Sequence, residues 1–208
     1  MSASAYAEAI WEAVPEGRVP ERFALRRSYL LDHVRAGERV LDVGCGEGHF
    51  TEALADAGCQ VTGVDVARIP LQRAKRRRAG LDLRLLEARG PWPLADASFD
   101  VIWAGEVIEH VVDTGAFLSE IRRLLRPAGS LLISTPAHPP LALICLALSP
   151  RRFAEHFDVR ADHLRFYNRT ALRALLADFR FTDIEIRAAG GLPLARPLLL
   201  ARARRERF

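Results

Sequence analysis

Two acids frame the first chemistry this sequence offers. Asp42 lies in the apolar run that opens "VLDVGCGEGHF", and Gly44, Gly46 and Gly48 follow it at alternate positions. Asp65 closes a second apolar run, "VTGVD", 21 residues after Gly44. Glycine has no Cβ, so it permits positive φ values and close approach by another group. A strand-to-helix turn built from three of them is a ligand seat. The spacing G-x-G-x-G departs from the G-x-G-x-x-G of dinucleotide sites, and a carboxylate beside the turn opposes a pyrophosphate. The ligand should therefore bring a cation, such as an ammonium group, to Asp42. Asp65 stands at the distance from the turn where an acid accepts both hydroxyls of an adenosine ribose. Glycine turn, second strand and terminal acid together argue for a nucleoside site.

A second constellation is "EVIEH". Glu106, Glu109 and His110 stand at i, i+3 and i+4, which places them along one face if the segment is helical. His163, in "ADHLRFYN", adds an imidazole, and a neutral imidazole suits proton abstraction near pH 7. His138 and His156 lie in the connection 136–165, a candidate lid. Each of these histidines also has a plain reading as a surface or hydrogen-bonded side chain.

Residues so spaced need a scaffold, and the hydrophobic pattern supplies one. Short apolar runs of strand length occupy residues 39–43, 60–64, 83–86, 99–103 and 130–134, rich enough in Val, Leu and Ile to be buried on both faces. Helical segments alternate with them: residues 50–57, closed by Gly58, then 67–78, then a stripe of Phe117, Leu118, Ile121, Leu124 and Leu125 behind Asp113 and Thr114, ended by "RPAG". Such alternation predicts a parallel sheet with helices on both faces. Leu172, Leu175, Leu176 and Phe179 form one stripe of a later helix that Asn168 or Thr170 caps. The stretches "FTDIEIRAA" and "RPLLLARAR" around "GGLP" then read as a closing hairpin. Between the fifth strand and that helix, residues 136–165 carry the apolar run from Leu141 to Leu148, a long connection expected to be a lid or substrate-binding insertion. The run either covers an apolar substrate or packs on the core. It is too short to cross a bilayer.

Composition bounds the rest. With 208 residues, half of them apolar, the chain can bury one substantial core. The net charge is a mild +4, and all the basic residues but Lys75 are arginine. The dense basic runs, residues 75–78 and 202–207, read as solvated surface and tail, and no nucleic-acid partner is expected. Cys45, Cys59 and Cys145 share no metal spacing and suggest reduced thiols in a cytoplasmic protein. The first residues carry acids and no continuous apolar core, so no signal peptide is expected.

In order along the chain, "VLDVGCGEGHFTEALADAG", "VTGVD", "PLADASFDVIWAGEVIEHV", "LLRPAGSLLISTP" and "HLRFYNRTALRALLADFRF" resemble the class I S-adenosylmethionine-dependent methyltransferases. The likeness runs from Leu31 to Phe181 and is strongest to the branch that includes the ubiquinone-biosynthesis O-methyltransferases. It implies a Rossmann-like, doubly wound α/β fold. Its sheet has seven strands, mostly parallel with an antiparallel last strand, and helices cover both faces. One domain, 1–208, is expected: an N-terminal helical cap segment (1–30), a cofactor-binding core (31–135), the lid (136–165), and the last helix with the closing hairpin (166–208).

The resemblance also implies site roles. Asp42, Gly44, Cys45 and Gly46 hold the methionyl part of S-adenosylmethionine, which leaves as S-adenosylhomocysteine. Asp65 takes the ribose, Val66 packs on adenine, Glu87 and Ala88 meet the adenine edge, and Ala104, Gly105 and Glu106 line the methionine side. His163 and His110 are the candidate catalytic bases. Glu-x-x-Glu-His segments bind a divalent cation in some relatives, which makes Glu106, Glu109 and His110 an alternative metal set beside a metal-free first reading. RNA-end relatives extend that motif with another histidine, whereas Val111 follows His110 here. The expected reaction is O-methylation of a hydroxyl on an apolar or aromatic small molecule. An N- or C-methyltransferase of a natural-product or lipid-linked acceptor is the alternative, and a cofactor-binding protein without turnover is a further one. The expected state is a monomer or homodimer without stable membrane insertion.

Overall fold

A computed structural model describes residues 3–88, 90–158, 163–192 and 196–207. Two helices, α1 (Ala3–Ala13) and α2 (Phe23–Leu31), precede the first strand, β1 (Arg39–Val43). Then come α3 (His49–Asp56), β2 (Gln60–Asp65), α4 (Arg68–Arg77), β3 (Asp82–Leu85), β4 (Phe99–Gly105), α5 (Thr114–Leu124) and β5 (Leu125–Pro136). The chain closes with α6 (Pro140–Ala147), α7 (Pro150–His156), α8 (Arg169–Asp178), β6 (Phe181–Ala189) and β7 (Leu198–Arg205).

The seven strands form one sheet in the order β3-β2-β1-β4-β5-β7-β6. Every pairing is parallel except those of β7, which runs antiparallel to both β5 and β6. The chain leaves β1 toward β2 and β3, then returns to β4 on the other side. That reversal opens a crevice at the C-terminal tips of β1 and β4, where sheets of this kind bind ligands. The expected Rossmann-like α/β fold, mostly parallel with an antiparallel last strand, is what the sheet adopts.

Alternation along the central strands sorts their side chains between two cores. Val40, Val101, Trp103 and Leu132 pack with Tyr29, Leu30, Phe50 and Leu54 on the face covered by α2 and α3. Leu41, Ile102, Ala104 and Leu131 pack with Phe117, Leu118, Ile121, Leu172 and Leu176 on the face covered by α5 and α8. The helices start where local chemistry places them. Asp113 accepts the Ala116 amide at 2.9 Å and Asn168 accepts that of Ala171 at 2.8 Å, each satisfying an orphan donor of the first turn. Gly58, at φ 83°, closes α3 in the left-handed conformation.

Two expectations about the elements change. The segment "RPAG" does not merely end a helix, because β5 begins at Leu125 and includes it, with a register shift against β4 between Phe99 and Val101. The run Leu141–Leu148 does not pack on the core: α6 buries none of its residues, and Leu141, Ile144 and Leu148 are exposed. Of the lid segment 136–165, residues 159–162 lie outside the described residues, as does Pro193 of "GGLP". No helix among the described residues is long and apolar enough to cross a membrane.

The basic runs are paired within the fold. Arg76 meets Glu16, Arg77 meets Glu52, and Arg78 meets Asp56. Arg202 meets Glu185 across the β6–β7 ladder, and Arg205 donates to the Leu125 carbonyl. The three cysteines are free thiols.

Candidate active site

The glycine turn between β1 and α3 spends its amides on the fold. Gly44 and Cys45 donate to the Val64 carbonyl at 2.8 and 3.0 Å, Gly48 donates to the Cys45 carbonyl at 2.8 Å, and Gly46 donates to Asp65 Oδ2 at 2.9 Å. A phosphate seat needs such amides free to point at the ligand. This turn therefore presents shape rather than donors. Two of its glycines are also demanded by packing: a Cβ on Gly44 would lie 2.5 Å from Val107 Cγ2, and one on Gly46 would lie 2.9 Å from the Trp11 ring. Both have positive φ, 67° and 53°.

The Asp65 carboxylate sits at the tip of β2, buried, and its oxygens also accept the Ala67 amide at 2.9 Å. Two backbone donors thus orient it and oppose the effect of burial, which on balance raises its pKa. Asp42, on β1, is 1% exposed and accepts the Thr51 hydroxyl at 2.6 Å. Burial pushes its pKa up to about 7, beyond what the Thr51 bond offsets. Val66 is half-buried directly after Asp65, and Glu87 and Ala88 are exposed just beyond β3, the strand paired with β2. Cys45 turns its thiol into a small cluster with Leu71, Ala74 and Leu83, so that it offers the turn backbone rather than sulfur.

The N-terminal segment lies over this end of the sheet. Trp11 of α1 covers Gly46, and the Glu8 carboxylate accepts the first amides of α4, those of Arg68 and Ile69, at 2.6 and 3.1 Å. Buried Glu47 accepts the Gly17 amide at 2.7 Å and pairs with Arg73 at 3.2 Å. No spacing rule marks Trp11, Glu8 or Glu47, because their partners stand far away in sequence.

The neighbouring tips of β4 and β5 carry a second polar group. Ala104 is buried and Gly105 half-buried. Glu106 adopts a left-handed backbone, φ 57°, which is uncommon without glycine and marks local strain. Its side chain accepts the Ser134 hydroxyl at 3.0 Å. Ser134 in turn accepts Nε of Arg26, a residue of α2 that sequence reasoning missed, at 2.9 Å. Arg26 is 3% exposed, stacks over Phe50 and donates to the Glu21 carbonyl, and among the described residues it has no carboxylate within ion-pair distance. Burial lowers its pKa, while Glu106, Glu109 and Asp42 act at longer range to raise it.

The expected helical face of Glu106, Glu109 and His110 is corrected. Residues 106–110 form a turn between β4 and α5, and Glu106 diverges toward Ser134. The group that does converge is Glu109, His110 and His163, whose candidate ligand atoms lie within 4.8 Å of one another. The His110 and His163 rings meet edge to face at 4.9 Å. Glu109 accepts the Thr135 hydroxyl at 2.9 Å through Oε2, and its buried Oε1 has no hydrogen-bond partner among the described residues. Burial, with the Glu106 charge beside it, pushes its pKa up. The Glu109 carbonyl accepts the amides of Leu164 and Arg165, which ties the approach to α8 to this turn. His138 and His156, both in the segment 136–165, group with Phe157 and Phe166.

Comparison with known proteins bears on the whole arrangement. The methyltransferase-domain family profile matches residues 16–186. A probable S-adenosylmethionine-dependent methyltransferase of Mycolicibacterium smegmatis is 39% identical over 127 residues, 58% of this chain and 48% of that protein. The ubiquinone biosynthesis O-methyltransferase of Stutzerimonas stutzeri is 36% identical over 123 residues, 57% of this chain and 53% of that protein. The chain thus spans about half the length of these relatives. Among solved structures, Haemonchus contortus phosphoethanolamine N-methyltransferase 2, bound to phosphomonomethylethanolamine and S-adenosylhomocysteine, superposes with a TM-score of 0.68 at 19% identity. That match covers 98% of this chain and 57% of the other. A methyltransferase from Methanosarcina mazei gives 0.64 at 20% identity, covering 85% and 96%. Both likenesses are of fold.

Proposed function

The chain belongs to the methyltransferase-domain family, the class I S-adenosylmethionine-dependent methyltransferases, and we propose that it methylates a hydroxyl on an apolar or aromatic small molecule. The observation that carries this reading is the pair of buried acids, Asp42 and Asp65, on adjacent strand tips around a glycine turn whose amides are already spent. Such a seat suits a nucleoside with a cationic arm and disfavours a pyrophosphate. When bound, S-adenosylmethionine supplies a methyl group made electrophilic by its sulfonium. The chain has to hold that cofactor in line with the acceptor, exclude water and receive one proton.

Asp65 is oriented by the Gly46 and Ala67 amides to take the ribose hydroxyls, with Val66, Glu87 and Ala88 at the adenine side. S-adenosylmethionine held there would supply the methyl group, and a ring nitrogen of His163 or His110 would receive the proton of the acceptor hydroxyl. A neutral imidazole offers a ring nitrogen that can accept such a proton. The exposed apolar residues of α6, in the segment between β5 and α8, support an apolar acceptor.

A second reading is favoured by the buried Oε1 of Glu109, which has no hydrogen-bond partner among the described residues. A divalent cation would be held by Glu109, His110 and His163, and there it would acidify an acceptor hydroxyl. Calorimetry decides the cofactor. Asp65→Asn should weaken S-adenosylhomocysteine binding by about 2 to 4 kcal/mol, the value of two charge-assisted bonds, and wild-type affinity would refute the site. For the base, His163→Ala should slow turnover about 100-fold at unchanged cofactor affinity. A thermal shift of the wild type with Mn2+ that His163→Ala abolishes would favour the metal reading instead.

A further inference from the structure

Two adjoining cavities lie between the start of α2 and the tip of the β6–β7 hairpin, with volumes of 630 and 330 Å³. They share Leu25, Gly190 and Gly191. Spaces of this size suit a small molecule. The chain leaves β6 through Gly190 and Gly191, at φ 72° and 57°, and so places no side chain in the gap. Val19 and Phe23 give the first cavity an apolar wall, and Leu200 gives one to the second. None of the residues lining this groove contributes to the carboxylate and histidine groups of the candidate active site.

Three arginines also line the groove, and their charges are used differently. Arg22 already pairs with Glu21 at 2.9 Å, so it lends mainly its aliphatic stem, whose Cδ would stand 3.8 Å from a Cβ on Gly190. Among the described residues, Arg187 and Arg196 have no carboxylate within ion-pair distance. The strand register explains the lack for Arg187: it stands opposite Leu200, whereas Glu185 stands opposite Arg202 and pairs with it at 2.7 Å. Arg187 lies over the Tyr29 ring, its guanidinium carbon 4.9 Å from the ring centre, a contact that leaves the N–H donors of the guanidinium edge for another group. Arg196 donates from one terminal nitrogen to the Ala188 carbonyl at 2.9 Å, which holds it against the residue next to Arg187. Two cations on one cavity, with no acid to neutralise them, favour an anion there.

The geometry points to a ligand site in this groove for a small aromatic anion. The ring lies against Phe23, Leu25 and Leu200, and its anionic group accepts charge-assisted hydrogen bonds from Arg187 and Arg196. This site stands independently of the cofactor reading, because it shares no residue with the strand tips that carry Asp42 and Asp65.

Fluorescence titration of the full chain with two dyes of one ring system tests the site. 8-Anilino-1-naphthalenesulfonate carries an anion, and N-phenyl-1-naphthylamine lacks it. The wild type should bind both, the sulfonate more tightly. Arg187→Gln and Arg196→Gln should each weaken sulfonate binding about fivefold, the scale of one exposed charged contact, and leave the neutral dye within about twofold. Ala24→Trp, at an exposed position lining the first cavity, should weaken both dyes about tenfold by filling their space. The anion 1-naphthoate should displace the sulfonate dye, and inorganic sulfate at the same concentration should not. Unfolding midpoints equal to that of the wild type certify the variants, and Arg187→Lys, which keeps the charge, should retain part of the sulfonate preference. Unchanged sulfonate binding in both glutamine variants, equal losses of the two dyes in them, displacement by sulfate as strong as by naphthoate, or no dye binding by the wild type would each overturn the proposal. So would dye binding that survives Ala24→Trp and is lost in Leu148→Ser, since the dye would then sit beside α6. Dye affinity that falls as the chain self-associates would overturn it too, making the groove a face between copies.

Discussion

The two ends of the crevice are built in opposite ways. At the β1–β2 end, polar groups are closed into the fold: the glycine turn bonds to Val64 and Asp65, Asp42 holds Thr51, and Glu8 and Glu47 bind α1 and its following turn over the top. At the β5–α8 end, α6 buries nothing and Leu148 is 81% exposed. The trio Glu109, His110 and His163 converges at the turn that follows β4. The difference separates two requirements. On the proposed function, the first end would hold the nucleoside in the same way at every turnover and is preorganised by bonds that exist without ligand, and the second would leave its apolar surface for an acceptor to cover.

The sharpest way to break the comparison is to overfill the ordered end. Gly105→Ala would place a Cβ 2.6 Å from the Trp103 ring, which is fully buried, and from Arg26. Overpacking of that kind should cost about 2 to 3 kcal/mol in chemical denaturation. Stability within experimental error of wild type would show that the β4 tip yields more than its packing suggests.

Next in size is the pH dependence that burial gives Asp42. Its folded pKa is raised from an ordinary 3.8 to about 7, so the folded state binds a proton more tightly than the unfolded state between those values. Stability from this group is therefore fully present below the unfolded value and declines as pH rises through about 7, by on the order of 2 kcal/mol between pH 5 and pH 7. Asp42→Asn keeps an oxygen for the Thr51 hydroxyl and removes the titration. Its unfolding free energy should be flatter with pH than that of the wild type. Equal slopes would assign the dependence to other groups.

The smallest expected effect lies at the open end. Ile144→Ser on α6 and Leu148→Ser just after it should leave stability within about 0.5 kcal/mol, since neither side chain is buried. Activity on a long-chain apolar phenol should nonetheless fall relative to activity on its truncated counterpart. Loss of stability in both variants would mean that the lid packs more closely than its exposure implies.

Much of this was legible in the residues themselves. Arg39–Val43 and Phe181–Ala189 are strands with the bounds their hydrophobic patterns predict, and Asp113 and Asn168 cap the helices they precede. These features are local. Alternation, a capping side chain and a glycine turn each express themselves within a few residues, so tertiary context has little to alter. Glu106 failed as part of a helical face for the complementary reason: i, i+3 and i+4 spacing is a periodicity argument, and it lapses when the backbone turns left-handed at φ 57°.

What the sequence determined by itself was the β1–α3–β2 unit with Asp42 and Asp65 at its tips, because strand, turn and terminal acid are consecutive elements of one short segment. Only the tertiary structure decided which distant side chains join them. Arg26 meets Ser134 across 108 residues, Trp11 covers Gly46, and His163 reaches Glu109 and His110. Those meetings follow from the order in which strands assemble in the sheet. That order is set by the packing of whole helices and strands, a property no spacing within one segment can carry.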